Sequence, residues 1–188
     1  PQAAFETASK VLAETGCAAV KLEGGVVMAE TVRFLVGRGI AVMGHVGLLP
    51  QSVKASGGYR VHGRKPEEAA RILADARAIA DAGAFSIVLE NIVEPLGRSL
   101  TAELAVPTIG IGAGPACDGQ VLVFHDVLGI ERRILPRFVR RYADLHTTAV
   151  EALSGFAADV RSGAFPGEHE SYHLSDDVAD ELGLCGAA

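Results

Sequence analysis

The sequence predicts an α/β fold built on a parallel sheet, and three observations carry that prediction. Short segments rich in Val, Ile and Leu alternate with longer segments of helical periodicity. The short segments are apolar on both faces, as buried parallel strands are. Glycines and polar side chains gather just after the carboxyl ends of those segments, where α/β proteins place their ligands.

Each element follows from its local pattern. Residues 2–14 set Phe5, Ala8, Val11 and Leu12 at helical spacing, with Gly16 just past the end. Residues 18–22 read as a first strand that runs into Glu23-Gly24-Gly25. Residues 27–36 return to helical spacing through Met28, Val32 and Leu35, and Gly37 and Gly39 stop them. Residues 40–46 are a second strand. From Gly47 to Lys65 the chain has no period and holds Pro50, Gly57, Gly58 and Gly63; loops of this length in compact domains commonly serve as lids or binding loops. Residues 66–82 form the clearest helix. Pro66 suits its first position, Glu67 and Glu68 suit its positive end, and Ile72, Leu73, Ala76 and Ile79 make an apolar stripe that Gly83 terminates. A third strand is expected at 84–90, a short helix at 95–104, a fourth strand at 106–111 and a fifth at 120–124. Residues 134–160 read as mostly helical, with a break near Gly155. Beyond Arg161 the chain is polar, with a weak helix at 175–182.

Five strands are visible, and a closed barrel of alternating strands and helices needs eight. The pattern alone therefore leaves an open sheet and part of a barrel as alternatives. The chain opens at Pro1 without an initiator methionine and inside a helical pattern, so it is expected to be the remainder of a longer one.

Composition bounds the function. With 188 residues, 49% of them apolar, the chain is expected to fold as a single domain, 1–188, with a real core. A formal charge of -6 argues against a general nucleic-acid binder, which needs a basic footprint. Arg33, Arg38 and His45 interrupt the best apolar run before it reaches membrane length. Cys17, Cys117 and Cys185 are odd in number, far apart and without metal-site spacing, which points to a reducing compartment and a cytoplasmic protein.

Several residues are placed for chemistry. In a strand, Lys21 and Glu23 point to the same side. Opposite charges on a buried face are expensive unless used: they either hold a metal and an anionic group together or form a structural ion pair. His45, near the end of an apolar strand, is either a donor to a substrate oxygen or a satisfied core histidine. Glu90 leaves a buried strand at the position of a general base, with a bond to backbone amides as the alternative. Glu94 reads as a helix-entry residue. The segment Gly110-Ile111-Gly112-Ala113-Gly114-Pro115 lacks nucleotide-fingerprint spacing and reads better as a close backbone approach or tight packing. Asp118 reads as a turn-fixing residue. Ser52, Lys54, Tyr59, Arg60, His62 and Arg64 suit either a basic lid or a solvated loop. Arg132, Arg133, Arg137, Arg140 and Arg141 are expected along one helix, as a solvated or subunit-contact face.

Taken together, six stretches resemble one family: Val20-Lys21-Leu22-Glu23-Gly24-Gly25, the run 45–52, the run 57–64, Val88-Leu89-Glu90, Ile109 to Gly114 and Cys117 to Val123, with Phe165-Pro166-Gly167 closing the series. The chain resembles the 3-methyl-2-oxobutanoate hydroxymethyltransferases, also called ketopantoate hydroxymethyltransferases. The resemblance implies a (β/α)8 TIM barrel of which this chain supplies about the last five strands, its C-terminal two thirds. It implies a large cytoplasmic homo-oligomer, often a decamer, with no nucleic-acid or membrane partner. It implies hydroxymethyl transfer from 5,10-methylenetetrahydrofolate to 3-methyl-2-oxobutanoate, a 2-oxo acid, giving 2-dehydropantoate for pantothenate and coenzyme A synthesis. Mg2+ or another divalent ion would stabilise the enolate.

Carried over by position, the resemblance makes Lys21 a keto-acid contact, His45 a pocket residue near the substrate, Glu23 a metal ligand and Glu90 the proton acceptor. The loop around 59–64 matches the family's active-site loop, and Arg60 and Arg64 are loose candidates for folate's acidic tail. The family's N-terminal third, with two metal-ligating aspartates, has no counterpart here, so the segment alone is expected to be inactive. Residues 174–188 run past the usual family end and are read as a candidate disordered tail. Two rivals stand beside this reading: a magnesium-dependent 2-oxo-acid lyase of similar barrel type, and a non-catalytic truncated assembly subunit.

Overall fold

Apolar strand segments this short cannot stay in water, and they pair into one parallel sheet. The computed structural model describes residues 1–49, 60–133 and 135–184. The strands are β1 (Val20–Glu23), β2 (Val42–Gly47), β3 (Ser86–Glu90), β4 (Thr108–Ile111) and β5 (Gly119–Gln120). They lie side by side in chain order, all parallel. Helix α1 (Gln2–Thr15) precedes β1, and α2 (Ala29–Val36), α3 (Pro66–Asp81) and α4 (Glu94–Glu103) lie between successive strands. A 3-10 turn, Val26–Met28, leads into α2.

The two faces of the sheet differ. Register aligns Gly44 with Ile87 and Val46 with Leu89. With Val42, these residues form a single core with Ala8 of α1, Val32 and Leu35 of α2, Ile72, Ala76 and Ile79 of α3, and Leu96 and Leu100 of α4. Gly44 is small because Ile79 sits on it: a Cβ there would meet Ile79 Cγ2 at 2.3 Å. Met43, His45, Val88, Glu90 and Ile111 occupy the opposite face and take no part in that core. Sequential strands joined by crossovers of one hand place their helices on one side, and α1 to α4 pack in that way.

Local signals explain the ends. Gly16 closes α1 at φ 69. Pro66 opens α3 at its first turn, and Gly83 follows it at φ 97. Glu94 opens α4, as expected. Asp118 does more than fix a turn: it accepts hydrogen bonds from Thr108 N at 2.8 Å and Thr108 Oγ1 at 3.2 Å, tying β5 to β4. The glycine-rich exit of β4 is tight packing, because a Cβ on Gly114 would meet Glu94 Cγ at 2.3 Å.

Three expectations are corrected. The fifth strand is only Gly119–Gln120, and Phe124–Val127 is a helical turn, α5. Val121, Val123 and Phe124 are exposed and gain nothing from a buried ladder. The helix expected from 134 begins only at Leu145: α6 spans Leu145–Ser162 and runs through Gly155 without a break. Its start is set by Asp144, whose carboxylate accepts from Thr147 N at 3.2 Å and Thr147 Oγ1 at 2.8 Å. The arginines at 132, 133, 137, 140 and 141 therefore lie on non-helical chain. Arg133 pairs with Glu131, and Arg141 donates to the Glu131 carbonyl at 2.7 Å.

The chain divides into two units, Pro1–Val123 with Pro136–Val139, and Phe124–Leu135 with Arg140–Ala188. The first holds the sheet. The second holds α5, α6, an edge-to-face pair of Phe156 and Phe165, and a short helix α7 (Asp176–Glu181) where a weak helix is expected. Cys17 and Cys117 are free thiols, and Cys185 lies outside the described residues. Among the described residues no helix is long and apolar enough to cross a membrane.

The polar anchor of the first unit is Glu68. It lies on the buried stripe of α3 and is 7% exposed. It accepts from Arg60 Nη2 at 2.8 Å and Gly63 N at 2.9 Å, and its Oε1 meets His62 Nδ1 at 2.9 Å. Burial alone would raise this carboxyl. The Arg60 guanidinium, the Gly63 amide and the His62 ring outweigh burial and lower it from 4.5 to about 2. A carboxyl whose pKa falls on folding stabilises the fold fully above the unfolded value and loses that contribution as pH drops through the folded one. Glu68→Gln is therefore expected to lower the unfolding free energy by about 2 kcal/mol at pH 7. The gap between the two proteins should close as pH falls from 4.5 toward 2. Urea titrations across that range check it, and a gap independent of pH would contradict it.

Candidate active site

Parallel register assembles the site. Glu23 pairs with His45 across β1 and β2, His45 with Val88 and Gly47 with Glu90 across β2 and β3. Side chains at matched rungs share a face, and so do residues two apart along a strand. Lys21, Glu23, His45 and Glu90 thus meet on the face that the helices leave free, toward the carboxyl ends of three adjacent strands. Of the residues considered from the sequence, these four come together.

The distances define the cluster. Lys21 Nζ lies 3.2 Å from His45 Nδ1 and 3.8 Å from Glu23 Oε1. His45 Nδ1 lies 3.6 Å from Glu23 Oε1, and His45 Nε2 lies 3.1 Å from Glu90 Oε2. His45 is 1% exposed, Glu90 17%, Glu23 21% and Lys21 46%. An ammonium can only donate a hydrogen bond, so Nδ1 of His45 accepts. The ring is then neutral, with its proton on Nε2. That nitrogen is close to Glu90 but poorly aligned with it, and it is buried without a hydrogen-bond partner. Glu23 Oε2 is likewise buried without a donor. A buried polar atom left unmet costs about 1–3 kcal/mol. His62 Nε2 and Arg141 Nε are unmet as well, but only this cluster holds two such atoms, which makes it the candidate place for a ligand among the described residues.

The backbone fixes these side chains. Gly24 N donates to the His45 carbonyl at 3.0 Å, and Leu48 N donates to the Glu90 carbonyl at 2.9 Å. Gly47 stands at φ 98, and a Cβ there would lie 2.3 Å from the Glu90 carbonyl oxygen. Only glycine allows that approach. Asp75 on α3 accepts from Val26 N at 2.8 Å and so holds the turn after Glu23. A Cβ on Gly25 would meet Asp75 Cγ at 1.9 Å.

Among the described residues, no group of three His, Cys, Asp or Glu side chains is set to enclose a metal ion. Of the loop residues, Arg60 and His62 are held by Glu68, while Ser52, Lys54 and Tyr59 lie outside the described residues. Sequence reasoning missed Asp75, Asn91 and the depth of Glu68. The signal for Glu68 and Asp75 is an acidic residue on or beside the apolar stripe of α3; the signal for Asn91 is a residue tolerant of left-handed backbone next to Glu90.

A profile of the ketopantoate hydroxymethyltransferase family matches residues 1–168. Over 170 residues the chain is 62% identical to the 3-methyl-2-oxobutanoate hydroxymethyltransferase of Paracoccus denitrificans (strain Pd 1222), covering 90% of this chain and 62% of that protein. It is 62% identical over 167 residues to the enzyme of the same name from Rhodospirillum centenum (strain ATCC 51521 / SW), covering 88% and 61%. It is 59% identical over 166 residues to that of Chelativorans sp. (strain BNC1), covering 88% and 59%. The chain spans about three fifths of the length of these curated relatives. With residues 1–168 matched by the family profile and relatives 59% to 62% identical over 166 to 170 residues, the chain belongs to the ketopantoate hydroxymethyltransferase family.

Proposed function

We propose that the protein carrying this chain transfers a hydroxymethyl group from 5,10-methylenetetrahydrofolate to 3-methyl-2-oxobutanoate, giving 2-dehydropantoate for pantothenate and coenzyme A synthesis. The observation that carries the reading is the convergence of Lys21, Glu23, His45 and Glu90 on one sheet face, with two buried polar atoms left for a ligand. The relatives' names supply the reaction.

Each side chain has a task in that chemistry. The methine carbon beside the ketone must lose a proton before it can attack a one-carbon unit. Glu90, partly exposed at the strand exit, takes that proton as general base. His45 directs its Nε2 proton at the keto oxygen, where negative charge develops. Lys21 holds the Nδ1 side of His45, which keeps the proton on Nε2, and has two further N–H groups for the substrate carboxylate. Glu23 is an oxygen ligand of the kind Mg2+ takes, and its unpartnered buried Oε2 fits one corner of such a site. The remaining protein ligands lie beyond the residues of this cluster. A divalent cation bound there would supply positive charge against the developing enolate.

Five parallel strands in chain order, with α1 to α4 packed on one face, are the arrangement that further strands would extend to a (β/α)8 barrel. A cytoplasmic homo-oligomer of decamer size completes the proposal.

Two measurements on the protein carrying this chain test it. Glu90→Gln is expected to slow solvent exchange of the substrate methine proton by on the order of a thousandfold and to leave metal-dependent keto-acid binding intact. An unchanged exchange rate, followed by proton NMR in deuterium oxide, would remove Glu90 as the base. Glu23→Gln is expected to weaken Mg2+ binding by on the order of tenfold or more. A calorimetric Mg2+ titration that matches the parent protein would take Glu23 out of the metal site.

A further inference from the structure

Asn91 follows Glu90 directly and stands at φ 50, a left-handed backbone that few residues other than glycine adopt without strain. Three hydrogen bonds hold it there. Its N donates to the Ile111 carbonyl at 2.8 Å, its carbonyl accepts from His62 N at 2.8 Å, and its side-chain Nδ2 donates to the Arg60 carbonyl at 3.0 Å. Val93 N returns a bond to the His62 carbonyl at 3.0 Å, so residues 60–62 run beside 91–93 as a short parallel ladder. The far side of that ladder is gripped by Glu68, through Arg60, His62 and Gly63. The unit is continuous: α3 holds residues 60–63, these hold Asn91, and Asn91 sets the backbone that aims Glu90. Among the described residues, neither Asn91 nor Glu68 makes a hydrogen bond or ion pair with Lys21, His45 or Glu23.

We infer that Asn91, braced through residues 60–63 by Glu68, is the positioning residue for Glu90. The inference rests on the proposed role of Glu90 as base. Carboxylate placement affects proton abstraction more than ground-state binding, and a misplacement of about 1 Å costs as much as a hundredfold in rate. Loss of the brace should therefore appear in kcat and spare KM.

The test uses the protein carrying this chain with Asn91→Gly and Asn91→Asp. Glycine accepts the positive φ and removes the bond to Arg60. Aspartate keeps the shape but has no N–H to give. Both are expected to lower kcat for methine proton exchange by tenfold to a hundredfold, with KM for 3-methyl-2-oxobutanoate within about twofold. Glu68→Gln at pH 7 should show the same kcat-only loss. A rise in KM at constant kcat, or parental kcat in Asn91→Asp, overturns the inference. Backbone hydrogen exchange gives a second readout that needs no turnover. In Asn91→Gly, the amides of His62 and Val93 should accelerate at least about tenfold more than those of Val42 and Val46 in β2. Equal acceleration of all four, or none, overturns the brace. If the unsubstituted protein exchanges no methine proton, the proposed reaction fails, while the amide data still decide whether Asn91 couples the two segments.

Discussion

The site depends on one geometric constraint, the parallel register of β1, β2 and β3. Glu23 faces His45 on one rung, and Glu90 stands one residue pair beyond Val88. Because side chains alternate faces, a slip of one residue in β1 would send Lys21 and Glu23 into the helices and expose Leu22 in their place. The register is held by apolar burial on the helical face, where Val42, Val46, Ile87 and Leu89 lock against Ile72, Ala76 and Ile79. Hydrophobic packing on one side of the sheet thus sets charged chemistry on the other.

Polar groups divide into two kinds. Those of Glu68, Asp75, Asn91 and Asp118 are spent on backbone groups and neighbouring side chains: Asp75 and Asn91 hold the chain just after β1 and β3, Asp118 holds the start of β4, and Glu68 holds residues 60–63. Those of Glu23 and His45 retain an unmet buried atom. The first kind makes the second tolerable, since a buried atom without a partner persists only where its surroundings leave no freedom to turn away.

Much of this was legible in the sequence because it rests on local pattern. The helix over 66–82 announced itself through Pro66, its acidic first turn and its apolar stripe, and the exit residues Glu23, His45 and Glu90 stood out as polar groups on apolar strands. The errors have physical sources. Val121 and Val123 look like strand residues, but β-propensity acts only where a neighbouring strand and a core receive the side chains. The run from 134 to 160 reads as mostly helical, whereas Asp144 and Thr147 fix the start of α6 at Leu145 by capping. The brace at Asn91 depends on pairing between segments about thirty residues apart, which no periodicity reports.

The contact between Gly47 and the Glu90 carbonyl bears on how freely this region can vary. A methyl group at position 47 would have to share space with that oxygen and adopt a disfavoured backbone angle as well. Position 47 is therefore closed to every residue but glycine, whereas the exposed positions of α1 carry no such restriction. Any change to this end of the sheet must therefore leave this residue untouched and work from the side chains around it.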